Sequence, residues 1–142
     1  MMDEAARKDA LARIARAGVV GAGGAGFPCH VKLDVRVDTV MANGAECEPL
    51  LGCDVAAMEA WLPDFLSGLE AACDLTGAGR GIIGIKEKHH ELCDTIEAAL
   101  ASHPRLSLLR MGNYYPAGDE VILIEVGTGR VVPEGGLPKD VG

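Results

Sequence analysis

Aromatic residues are scarce in this chain: one Trp, two Tyr and two Phe, 4% of 142 residues. Its core therefore cannot rest on large rings and must be built from Ala, Val, Leu and Ile. With 49% hydrophobic content, that favours the close helix–sheet packing of an α/β domain. No apolar run reaches the ~18 residues a membrane-spanning helix needs. The N-terminal MMDEAARKD is charged and has no apolar secretory core. Positive charge is in deficit, 13 Lys and Arg against 21 Asp and Glu, for a net charge of −8. Such a balance argues against a nucleic-acid partner and against insertion at an anionic membrane. The five cysteines, at 29, 47, 53, 73 and 93, are odd in number and show no C-x-x-C spacing. A disulfide framework and a zinc ribbon are thereby disfavoured. Reduced thiols are expected, with Cys73 and Cys93 buried on helices. There is no internal repeat and no low-complexity tract, and the length suits one domain.

Glycine, by contrast, is concentrated in one stretch. Gly18 to Lys32 reads GVVGAGGAGFPCHVK, with glycines at 18, 21, 23, 24 and 26. Glycine allows positive φ and carries no Cβ, so consecutive amides can converge on an anion, most often phosphate. Phe27 and Pro28 stiffen the exit, and Lys32 adds a mobile cation. Gly21, Gly23 and Gly26 also fit G-x-G-x-x-G, but that fingerprint requires a preceding strand and a following helix. Here a helix precedes, and CHVKLDVRVD alternates and does not read as a helix. The loop is expected to bind phosphate without being an ordinary Rossmann loop. A flexible linker would lack Phe-Pro and the flanking apolar residues.

The remaining elements follow in order. Residues 3 to 17 form an amphipathic helix capped by Asp3, with Ala6, Ala10, Leu11, Ile14 and Ala17 inward and arginines outward. A short strand over 38–42 runs into Asn43-Gly44-Ala45-Glu46-Cys47-Glu48-Pro49. Ligands of open α/β sheets bind at the carboxyl ends of strands, so this polar cluster is a candidate site. Asn43 offers donors and an acceptor, Glu46 and Glu48 offer carboxylates, and Glu46 stands 20 residues past Gly26, near a ribose-binding acid's place. Residues 54 to 76 are helical, capped by Asp54 and broken at Pro63. GIIGIK (81–86) is a central strand. Residues 88 to 102 form a helix with Leu92, Cys93, Ile96, Ala99 and Leu100 inward. His89 and His90 diverge on it and are surface residues. Residues 105 to 110 are another strand, which implies a mostly parallel sheet. Gly112-Asn113-Tyr114-Tyr115-Pro116-Ala117-Gly118-Asp119-Glu120 is a second polar cluster after a strand, and Tyr115 can stack on a planar ligand. VILIEVGTG is β-branched, yet Asp119-Glu120 before it is equally a helix start. VVPEGGLPKDVG carries no helix or strand signal and reads as if a longer protein continued.

GAGGAGFPCHVK, NGAECEP and YPAGDE, in that order, resemble one flavin-binding domain. It is shared by the NADH-binding flavoprotein subunit of respiratory complex I, the C component of the Rnf electron-transport complex and the cobalamin reductase of propanediol utilisation. The resemblance runs from about residue 18 to residue 142, and IKEKHHE with YPAGDEV is most similar to the Rnf and cobalamin-reductase branch. It implies a Rossmann-like α/β fold, with residues 1–17 as an N-terminal helix and 18–142 as the domain holding FMN with NADH stacked over it. Gly21, Gly23, Gly24 and Gly26 would line FMN, and Lys32 would meet its phosphate. Asn43 would hydrogen-bond the ring, Glu46 would act on ribose or ring atoms, and Tyr115, Gly118, Asp119 and Glu120 would form the other wall. Phe27, Glu48 and Glu120 match contacts to the nicotinamide nucleotide. The segment after Gly118 would then be helical. Ala22 stands where complex I has Arg, and Ala45 where it has Asp. Both changes are usual in the Rnf-like branch. In the family a further flavin segment, a small β-grasp-like domain and 4Fe-4S motifs follow.

The expected function is an NADH:acceptor oxidoreductase domain, cytoplasmic or peripheral to a membrane complex or in a microcompartment, feeding a downstream electron-transfer partner. No acid, base or nucleophile is expected, because the flavin carries the chemistry. The alternative is a phosphate- or nucleotide-binding module without redox work.

Overall fold

A computed structural model describes residues 2–22, 25–48 and 50–142. The chain forms helix α1 (Glu4–Arg16), a one-turn α2 (Cys29–Lys32), β1 (Thr39–Asn43), α3 (Cys53–Ala60), α4 (Leu62–Thr76), β2 (Arg80–Lys86), α5 (His90–Leu100), β3 (Leu106–Met111), α6 (Glu120–Thr128) and a 3₁₀ turn at Pro138–Val141. The three strands are all parallel, in the order β1-β2-β3. This is the expected α/β architecture. Among the described residues no helix is long and apolar enough to cross a membrane.

β2 is central, and only Arg80 at its start is exposed, which is why GIIGIK is apolar without alternation. Ile83 and Ile85 pack on α3, α4 and α5 through Met58, Leu66, Leu69, Cys73, Leu92 and Ile96. The opposite face is thinner: Met41 and Leu109 meet Leu123 and Ile122 of α6 beside Ala45, Met111 and Ala117. The sheet is thus one layer of three. A Cβ at Gly84 would overlap Leu123, so α6 lies directly on the bare backbone of β2.

Several local expectations are corrected. Residues 29–32 are helical, because Pro28 sets an extended entry (φ −63°, ψ 121°) and accepts from the Val31 and Lys32 amides. The residue preceding α3 is Gly52, and Asp54 sits in the first turn instead of capping it. Pro63 does open α4, and Gly77 closes it at φ +78°, where only a residue without Cβ is unstrained. The tail forms a 3₁₀ turn because Asp140 bonds back to the Leu137 amide at 2.8 Å. The inward face of α1 is rotated from the apolar stripe: Leu11 is buried, Ala6 and Ala17 are exposed, and Arg7 is buried with 6% exposure. Arg7 Nε donates to the Leu75 carbonyl oxygen at 2.7 Å, and Nη2 donates to Asp34 Oδ1 at 2.7 Å. The guanidinium thus satisfies an orphan carbonyl at the end of α4 and ties α1 to the segment after α2.

Candidate functional site

The glycine-rich stretch closes on itself as a noose. Val20 and Pro28 form an antiparallel bridge, Gly21 N donates to the Phe27 carbonyl oxygen at 2.9 Å, and Cys29 N donates to that of Val19 at 3.1 Å. Gly26 turns at φ +62° with open space where a Cβ would be. Gly23 and Gly24 lie outside the described residues. Phe27 is exposed on the noose, and Lys32 is exposed at the end of α2. Among the described residues no hydrogen bond ties this noose to the strand ends.

The two polar clusters that follow β1 and β3 do meet. Asn43 Nδ2 donates to the Gly118 carbonyl oxygen at 2.7 Å, across 75 residues of sequence. Gly118 N donates to Cys47 Sγ at 2.8 Å, and Asn43 Oδ1 accepts from Ala45 N at 3.2 Å. This clasp spans the carboxyl edge of the sheet above β2. It exists because position 118 is glycine: a Cβ there would overlap the Ala45 carbonyl oxygen and lie 2.9 Å from Cys47 Sγ. Ala45 is fully buried and cannot yield. Asn43 thus spends its carbonyl and one amide hydrogen within the protein and keeps one hydrogen for a ligand.

Glu46 supplies the most informative atom. Its Oε1 accepts from Cys53 Sγ at 3.2 Å, while its Oε2 is sealed from solvent with no hydrogen-bond partner among the described residues. A sealed carboxylate oxygen costs free energy until a donor reaches it. The hydrogen bond and charge of Glu46 push the Cys53 thiol up. Burial, then the charge of Glu46, raises the Asp54 carboxyl above its ordinary value.

The other expected residues are placed less evenly. Tyr115 is 81% exposed, and its ring is free to take a planar partner. Asp119 is occupied as the cap of α6, its Oδ1 accepting from Val121 N and Ile122 N at 3.0 and 3.2 Å. That cap, strengthened by Glu120 in the first turn, is why β-branched VILIEVGTG is helical. Glu48 and Glu120 are exposed. His90 is exposed as expected, but His89 is half-buried. Burial, followed by the nearby charge of Lys88, holds it below its usual range. A cleft of about 400 Å³ opens toward α3 and α4 and reaches Asn43 and Gly44 from the sheet's other face, with Trp61 and Phe65 in its wall. Sequence reasoning did not single out Cys47 as part of the clasp. The available signal was its position between two glutamates in a segment already marked as a site.

Comparison with known proteins places the chain in a family. The family described as Complex1_51K, the Nuo51 FMN-binding domain, matches residues 14–142. Cobalamin reductase PduS of Citrobacter freundii is 47% identical over 130 residues, covering 92% of this chain and 28% of the reductase. The C component of the Na⁺-translocating ferredoxin:NAD⁺ oxidoreductase complex of Acetobacterium woodii is 40% identical over 133 residues, covering 91% of this chain and 30% of that protein. The chain therefore spans less than a third of the length of these curated relatives. Among solved structures, the air-oxidised NAD⁺-reducing NiFe hydrogenase superposes with a TM-score of 0.74 at 27% identity, over 87% of this chain and 24% of that one.

Proposed function

The chain belongs to the family of the Nuo51 FMN-binding domain, and from that premise we propose that it holds FMN at the carboxyl edge of its sheet within an NADH:acceptor oxidoreductase of NADH dehydrogenase type. The observation that carries this reading is the clasp of Asn43 and Cys47 on Gly118, which brings the two strand-following clusters into one wall. Three features of that wall suit a flavin. The sealed Glu46 Oε2 calls for an N–H donor, the bare Gly118 backbone permits close approach, and exposed Tyr115 offers a stacking face.

In this reading Gly21, Gly23, Gly24 and Gly26 present backbone amides to the phosphate, and Lys32 neutralises it. Asn43 gives its remaining amide hydrogen to the ring. Glu46 accepts from a ring or ribose donor, and Tyr115 and Gly118 bound the ring's far side. Asp119 acts indirectly, by capping α6 and so holding Glu120 and Gly118 in register. Phe27, Glu48 and Glu120 meet the nicotinamide nucleotide. Bound FMN supplies hydride acceptance and one-electron release. The protein's share is positioning and local electrostatics. The acceptor would be an iron–sulfur centre, 4Fe-4S in type and outside residues 1–142, or a partner protein. We place the protein in the cytoplasm, as a peripheral part of a membrane complex or inside a microcompartment.

Titration with FMN, followed by flavin fluorescence and ~450 nm absorbance, tests the reading. Saturable binding and anaerobic bleaching by NADH are expected. Binding without bleaching would remove NADH as the donor, and no binding would remove the flavin site itself.

A further inference from the structure

The cleft on the α3 and α4 face of the sheet plays no part in the proposed flavin site. Its volume of about 400 Å³ suits a small ligand. Ala42, Ala57 and Met58 give it an apolar lining, and Trp61 and Phe65 add aromatic rings. Trp61 is the chain's single tryptophan, at the junction of α3 and α4, and is 62% exposed. An indole is the largest apolar side chain available, and this one is left open to water inside a cleft.

The charge around it has one sign. Between Arg36 and Arg80 the chain carries no Lys, Arg or His. Helices α3 and α4 carry Asp54, Glu59, Asp64, Glu70 and Asp74. Two of these are answered from elsewhere: Glu70 faces His103, and Asp74 pairs with Arg105 at 2.8 Å. Asp54 and Asp64 line the cleft, and among the described residues neither side chain has a hydrogen-bond or ion-pair partner. Burial, then the charge of Glu46, already holds the Asp54 carboxyl above its usual range, so a cation would relieve it. Both residues stand in the first turn of a helix, where an acid is ordinary helix chemistry. That accounts for the two carboxylates and leaves the exposed indole in the same cleft unexplained.

We propose that this cleft is a second binding site, for a small organic cation: a protonated amine, amidinium or guanidinium carried on a flat ring, the ring lying on Trp61 and the charge held by Asp54 and Asp64. An indole face attracts a cation, and the apolar lining suits the body that carries it. No basic residue lines the cleft to compete for the carboxylates, and a phosphate-bearing ligand would be repelled by them. The assignment does not rest on the FMN reading.

The test uses benzamidine, with benzamide as its neutral analogue and benzoate as its anionic one. Trp61 fluorescence reads the cleft directly, because no other tryptophan contributes. Benzamidine should change it saturably and bind about tenfold or more tighter than benzamide, for one charge-assisted contact; benzoate should leave it unchanged. The double variant Asp54→Asn/Asp64→Asn, with its fold checked by circular dichroism, should bind benzamidine no better than benzamide. Glu59→Gln removes an α3 carboxylate outside the cleft and should alter the affinity by less than about twofold. Trp61→Leu, followed by calorimetry, should weaken benzamidine about threefold or more. No saturable response up to about 10 mM benzamidine would overturn the site. Equal binding of benzamide would overturn its cationic character. An equal loss in Glu59→Gln and the double variant would reduce the effect to general surface charge and overturn the site as well. N-acetylarginine amide carries the cation without the flat ring; if it bound as tightly as benzamidine, the cleft would belong to a partner's arginine and the small-molecule assignment would fall. Flavin is absent from every measurement, so these outcomes are read apart from whether FMN binds.

Discussion

Gly118→Ala is the most direct probe of the wall. The added Cβ would overlap the Ala45 carbonyl oxygen and lie 2.9 Å from Cys47 Sγ and 3.1 Å from the Ala45 carbonyl carbon. Backbone atoms of a fully buried residue form most of that obstacle, so no flexible tip can swing aside. Two responses are open. The segment that carries residue 118 can back off, losing the Asn43 and Cys47 hydrogen bonds at about 1 kcal/mol each. Or it can stay and bear an overpacking cost of about 1–3 kcal/mol. Both routes arrive near 2 kcal/mol, which for a domain of this size lowers Tm by about 8 °C. FMN affinity should fall about tenfold or more, because binding must restore the clasped wall. The control is Gly68→Ala. Gly68 lies inside α4 with nothing within 4 Å of its Cβ position, so the same substitution should stabilise by about 0.5–1 kcal/mol. Thermal unfolding by circular dichroism and flavin fluorescence titration read the two effects. A Gly118→Ala protein with parental Tm and parental FMN affinity would refute the clasp as the organiser of the site.

Three further outcomes are expected. Arg7→Ala should cost about 1.5–3 kcal/mol by urea unfolding, from loss of charge-assisted bonds to Leu75 and Asp34, and should speed proteolysis next to α1; an unchanged urea midpoint would show that α1 docks without the arginine. Asp38 is held down to about 2 by its bond to Arg130, with Thr39 assisting. The folded carboxyl therefore binds its proton more weakly than the unfolded one, so its contribution is complete above about pH 4 and lost as pH falls toward 2. The stability difference between parent and Asp38→Asn should shrink across that window, and a difference independent of pH would contradict the pairing. Finally, Glu46→Gln should accelerate alkylation of exposed Cys53 near pH 8, because the hydrogen bond and charge that raise its thiol are gone; an unaltered rate would deny the Glu46–Cys53 contact.

Much of this architecture is legible locally. An unbroken apolar run such as GIIGIK belongs in the centre of a parallel sheet, and β2 is buried there. Pro63 and Gly77 mark the limits of α4 through φ restrictions that hold in any context. The glycine-rich stretch of 18–26 and the order of the three motifs identify the flavin family, because such motifs are runs of neighbouring residues and are read without the fold. The residues of α6 left strand and helix open, and the family resemblance favoured the helix that the structure shows, capped by Asp119.

What only the tertiary structure decided are the roles set by partners far away in sequence. Arg7 resembles an outward charge until Leu75, 68 residues on, presents an unpaired carbonyl. Cys47 is one of several unremarkable thiols until the Gly118 amide, 71 residues on, reaches it. Lys86 reads as the polar end of a strand, and only the assembled layers leave it 7% exposed. Composition and periodicity record which face of an element is apolar. They carry no information on which orphan donor or acceptor is left over once the layers are assembled, and the leftovers at the carboxyl edge of this sheet are the ones the proposed site draws on.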